Sequence, residues 1–149
     1  MILLAMAGML AQGATVADPP ATLGEIRMHL FYAETGRLSR DISPPNSFTA
    51  WNTIIGEGDA EENADDLVIV VELRAQGEQN IASPLILSAR NADGRTLGQR
   101  RVTGALTGAN GRSYHMLHLA DAACAGPIRV TATFRRETRE ETLTLNCGE

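Results

Sequence analysis

The chain has no lysine; all thirteen of its basic residues are arginine. A GC-rich codon bias is enough to explain that, but the chemical consequence holds regardless. Without a lysine amine there is no Schiff-base chemistry and no Walker-type phosphate lysine, which excludes pyridoxal enzymes and P-loop NTPases. Aromatic residues are only 4% of the chain, leaving little stacking surface for bases or sugars. The net charge is -5, the wrong sign for a nucleic-acid binder that works by neutralising phosphates. Beyond the first residues no apolar run is long enough to cross a membrane.

What is present begins with residues 1–17, "MILLAMAGMLAQGATVA", which carry no charged side chain and an apolar core from Ile2 to Leu10. That length suits the h-region of a signal peptide, with Thr15 and Ala17 at the small-residue positions before cleavage. The alternative is a buried N-terminal helix. The missing basic residue at the start leaves the N-terminal amine as the only positive charge, unless translation begins upstream of Met1. The expected organisation is therefore a signal peptide over 1–17 and one domain over 18–149. No cysteine lies near the cleavage region, so a lipid anchor is not expected.

From Gly24 onward the hydrophobic period is two. In "EIRMHLFYAE", Ile26, Met28, Leu30 and Tyr32 alternate with Arg27, His29 and Phe31. "LVIVVEL" (67–73) is β-branched and nearly continuous, the pattern of a central strand covered on both faces. "PLILSAR" leads into the turn "NADG" (91–94) and returns as "RTLGQRRV"; "RSYHMLHLA" (112–120) is a further strand. Segments 126–134 and 139–147 close the chain as a hairpin. The expected fold is all-β: a two-sheet antiparallel sandwich of seven or eight strands, loosely immunoglobulin-like. Antibody domains place a Trp between their core cysteines, whereas Trp51 precedes both cysteines here, so the likeness is one of architecture.

Cys124 and Cys147 fix the register of that hairpin. If they face each other, Ile128 opposes Leu143 and Gly126 opposes Leu145, and the axis falls at Arg135/Arg136. Even positions from Ile128 to Phe134 then share the face of Leu143 and Leu145. In an oxidising compartment such a pair forms a disulfide contributing about 3 kcal/mol. A zinc or redox pair lacks the C-x-x-C spacing and an adjacent His.

The stretch "WNTIIGEGDAEENADD" (51–66) is the most acidic in the chain. Read as a calcium loop from Asp59, it places Glu61, Asn63 and Asp65 at alternate positions, as an EF-hand does. Ala64 then stands where that loop needs Gly, and Val70 where it needs the final Glu. A non-EF calcium site would draw on Asp59, Glu61, Asp65 and Asp66. The favoured reading is a solvated acidic connection at the wet end of a very apolar strand. His115 and His118, three apart on a strand, point to opposite faces and cannot share a ligand sphere, and His29 has no local partner. "GRSYH" (111–115) ends in His where the nucleophile elbow needs Gly, and enters a strand where the elbow needs a helix. Arg90, Arg95, Arg100 and Arg101 make one hairpin basic, either as an edge defence or as a surface for an anionic partner. No catalytic or cofactor-binding set can be assembled. The expectation is thus a non-enzymatic periplasmic or secreted module, binding another protein or acting as an accessory or chaperone-like domain. The alternative is a small periplasmic metal-dependent or hydrolytic enzyme using residues 57–66.

Overall fold

The structure, a computed structural model, describes residues 17–50, 58–145 and 147. The expected signal peptide therefore lies outside the described residues except for Ala17, as does the segment from Trp51 to Glu57. Among the described residues every regular element is a strand, and no helix is long and apolar enough to cross a membrane.

Seven long strands account for the expected ones: β1 (Ala21–Tyr32), β3 (Asp66–Ala75), β5 (Leu85–Arg90), β6 (Thr96–Val102), β8 (Arg112–Leu119), β9 (Ile128–Phe134) and β10 (Glu137–Leu143). Three two-residue strands are additional: β2 (Arg37–Leu38), β4 (Asn80–Ile81) and β7 (Ala105–Leu106). Two four-stranded antiparallel sheets, ordered β2-β1-β3-β8 and β10-β9-β5-β6, form the sandwich, and β4 pairs with β7. Counting the long strands as A to G, an immunoglobulin constant domain puts A, B, E and D on one sheet and C, F and G on the other. Here the fourth long strand, β6, hydrogen-bonds to the third, β5, so it has changed sheets.

The period-two pattern gives the core directly. Met28, Leu30 and Tyr32 of β1 are buried while Arg27, His29 and Phe31 between them are half-buried. Leu67, Ile69, Val71 and Leu73 of β3 meet Leu85, Leu87 and Ala89 of β5, with Ile128, Val130 and Phe134 of β9, in one cluster. Each large apolar side chain so enclosed contributes about 1.5–3 kcal/mol. β3 is central in its sheet, paired with β1 and β8; on its outer face Val68 and Glu72 are buried and Val70 is half-buried.

The terminal hairpin has the register derived from its cysteines. Ile128 opposes Leu143 and Phe134 opposes Glu137 across a turn at Arg135 and Arg136, with Arg135 at φ 55°. Strand β10 begins at Glu137, two residues earlier than expected, so most of the polar "RRETR" is strand and not tip. Cys124 and Cys147 are disulfide-bonded, with Cα atoms 5.9 Å apart.

A sandwich of two open sheets has two seams where strand edges meet, and an inward-pointing charge from the second sheet bridges each. On one side the Glu137 carboxylate of β10 accepts the Leu23 N–H of β1 at 3.0 Å. On the other, Arg100 of β6 donates to the Met116 carbonyl of edge strand β8 at 2.6 Å. Inward charges on edges block pairing with another chain's strand. The remaining edge of β1 is covered by its own sequel: Ser39 N–H bonds to the Leu30 carbonyl, and Ile42 N–H to that of Met28.

Candidate functional site

The acidic connection does not converge. The Asp59 carboxylate accepts the Thr49 N–H at 2.8 Å and lies 3.4 Å from Arg40. Glu61 pairs with Arg37 at 3.0 Å. Asp66, at the start of β3, accepts from His118 at 2.7 Å and from the Asp121 N–H at 3.1 Å. The Asp121 N–H, then His118, hold the Asp66 carboxyl below the usual carboxylate range. Asp65 instead lines a hollow of about 410 Å³ beside the disulfide, with Leu30, Glu62 and Asn63. Asp59 thus faces Arg40, Glu61 and Glu62 share Arg37, and Asp66 meets the His118 ring. Among the described residues no group of three or more His, Cys, Asp or Glu is arranged to hold a metal ion.

The histidines separate as strand geometry demands. His118 points outward to Asp66, while His115 points inward and bonds to Ser113 Oγ at 3.1 Å. Burial and the Arg100 charge keep the His115 imidazole below its ordinary pKa and hence neutral at pH 7. Ser113 and His115 are alternate residues on one strand face, and the serine is itself buried. Among the described residues no carboxylate bonds to this imidazole, as one would to orient it for nucleophilic catalysis.

A buried carboxylate that was not singled out in the sequence sits on the outer face of the first sheet. Glu72 is 1% exposed. Its Oε2 accepts from Arg74 Nε at 2.7 Å and from the Glu25 N–H at 3.3 Å, and its Oε1 lies 3.4 Å from both Arg112 and the Tyr114 hydroxyl. Burial pushes the carboxyl up, but the Arg74 hydrogen bond, the Glu25 N–H and the charges of Arg74 and Arg112 outweigh it, so its pKa lies below the ordinary 4.5. The carboxylate fits because Gly24 lies over it: a Cβ there would come within 2.8 Å of Glu72 Cβ. A bulge between Leu23 and Ile26 brings Gly24 to that point. The one sequence signal was a lone Glu inside the apolar "LVIVVEL". The arrangement is an ion cluster in which both carboxylate oxygens of Glu72 are occupied by side chains and backbone of its own sheet.

The four arginines of the β5–β6 hairpin do not form one patch. Arg90, at the end of β5, reaches the Gly94 carbonyl at 3.4 Å. Arg95 lies in the turn, where its N–H bonds to Asn91 Oδ1. Arg101 opposes Ile86 on the outer face of the second sheet, whereas Arg100 opposes the buried Leu87 and serves the seam to β8. Arg27, Arg37, Arg40, Arg74, Arg112, Arg129 and Arg135 each lie within ion-pair distance of a carboxylate. Among the described residues the hairpin arginines have no such partner.

No family model and no curated protein matches the sequence. Among solved structures, the chain is similar to a β-glucuronidase of Bifidobacterium dentium complexed with coumarin-3-O-glucuronide. Identity is 11% and the TM-score 0.43, over 85% of this chain and 18% of that one. The chain thus spans less than a fifth of that enzyme's length.

Proposed function

We propose that this protein is an exported, non-enzymatic β-sandwich module that engages an anionic partner through the β5–β6 hairpin. The observation that carries the reading is the sorting of charge. On a chain of net charge -5, the cations elsewhere are mostly matched to carboxylates, while Arg90, Arg95 and Arg101 face solvent without one among the described residues. Unmatched charge of the minority sign steers encounter and selects a partner more than it adds affinity. Export is supported by the apolar 2–10 segment and by the disulfide, a bond that persists in oxidising compartments.

The test is capture from periplasmic extract by the oxidised protein and by the Arg90→Ser/Arg95→Ser/Arg101→Ser variant. Arg100 is left in place because it closes the seam to β8. The expected result is a defined partner held by the wild type, released by salt and lost in the variant. Arg136→Ser/Arg139→Ser is the control and should keep the partner. Equal capture by both variants would overturn the assignment of the hairpin.

A further inference from the structure

The outer face of the second sheet carries a like-charge pair placed where nothing in the fold requires it. Arg90 of β5 lies directly opposite Arg129 of β9, and Arg129 directly opposite Thr142 of β10, so three side chains form one row across the sheet. Directly opposed like charges destabilise a sheet. The row borders a hollow of about 130 Å³ whose other walls are the turn residues Asn91, Ala92 and Gly94 and the ring of Pro127. Glu140 approaches Arg129 most closely at Nε, 3.4 Å away, and among the described residues the terminal nitrogens of Arg129 make no hydrogen bond. Asp93, in the same turn, is 3.5 Å from the Asn91 amide and does not line the hollow.

We infer that this hollow is a binding site for a tetrahedral oxyanion, the phosphate or sulfate group of a larger ligand. A guanidinium offers a fork of donors matched to oxyanions, and here Arg129, Arg90 (whose Nη1 also reaches the Gly94 carbonyl) and the Thr142 hydroxyl line one hollow. A carboxylate has two oxygens, enough for both forks as at Glu72, whereas a tetrahedral group has a third to offer the Thr142 hydroxyl. The volume is well below the roughly 300 Å³ of a small-molecule pocket, so it admits a head group and not a whole ligand. The inference deepens the proposed function by naming the chemistry the hairpin end takes. Its test is separate, because anion binding needs no partner protein.

Methyl phosphate and methyl sulfate are titrated into the oxidised protein at fixed ionic strength, following the Nε–H resonances of arginine by NMR, with chloride and acetate as comparisons. Saturable shifts confined to Arg90 and Arg129 are expected for at least one ester, the tighter ester identifying the source. Arg90→Gln and Arg129→Gln should each weaken binding about tenfold or more, as loss of a charge-assisted hydrogen bond implies. Arg101→Gln should leave it unchanged. Both Arg90 and Arg129 are exposed, so the variants retain the core, and unchanged or raised melting midpoints would verify that. Binding of neither ester, or equal weakening by Arg101→Gln, would overturn the site.

Discussion

Replacing Glu72 by Gln removes one buried negative charge and keeps the side chain's shape. Cutting a buried ion pair typically costs 3–5 kcal/mol, because the partner is left charged and dry. An exposed pair is worth no more than about 1 kcal/mol. Glu72 lies between these limits: the carboxylate is 1% exposed, but the Arg74 and Arg112 side chains are 44% and 49% exposed and return to water when it is lost. The expected destabilisation is therefore about 2 kcal/mol, or roughly 4–8 °C in melting midpoint for a chain of this length. Gly24→Ala should cost a similar amount by pushing the carboxylate out of its seat, and the two changes together should cost less than their sum. The pH dependence follows from the sign of the shift. The folded pKa is below the unfolded value, so the stabilisation is complete above about pH 4.5 and is lost as pH falls through the depressed value. Urea unfolding of both proteins at pH 7 and pH 3 measures this directly. The two curves should be well separated at neutral pH and converge in acid. A difference below about 0.5 kcal/mol at pH 7, or one that persists unchanged at pH 3, would refute the account of this cluster.

Cys124→Ser/Cys147→Ser opens a link between residues 23 apart in sequence and should cost about 3 kcal/mol, roughly 6–12 °C. Two reactive thiols in the unfolded, unreduced native protein would count against the bond itself. Arg100→Gln frees the Met116 carbonyl on the edge of β8, so its weight-average mass in sedimentation should rise with concentration relative to the wild type; identical behaviour would remove the edge-guarding role. Millimolar calcium after chelator should leave the melting midpoint unmoved, since Asp59, Glu61 and Asp66 are turned to different partners, Arg40, Arg37 and His118. Saturation at 100 times a dissociation constant would add about 2.7 kcal/mol, and a shift of that size abolished by Asp59→Asn would establish a calcium site there.

The sandwich was legible because its signal is local: alternation along β1, β5 and β9 places a core face without knowing what it meets. The hairpin register was legible for a second reason, since two cysteines fix a pairing that alternation alone leaves free by two residues. Features set by the third dimension were not. Adjacent acids looked like one cluster, but their partners Arg37, Arg40 and His118 come from β2, the loop after it and β8. The Glu72 seat depends on a bulge in a neighbouring strand, and the seam contacts of Arg100 and Glu137 depend on how two sheets close. Likewise, Arg90, Arg100 and Arg101 read as one basic stretch in sequence. Strand β6 alternates, so Arg100 turns to the seam with β8 while Arg90 and Arg101 share the outer face of the sheet.

The central claim is that the β5–β6 hairpin meets a partner in the exported protein. A photo-crosslinking residue at Gln99, exposed on β6 beside Arg101, tests it in intact cells, with Glu34 in the turn after β1 as the comparison site. The account predicts a discrete adduct from position 99, none from position 34, and loss of the adduct when Arg90, Arg95 and Arg101 are Ser. An adduct at position 34 alone, or one at position 99 that survives removal of those three charges, would contradict it.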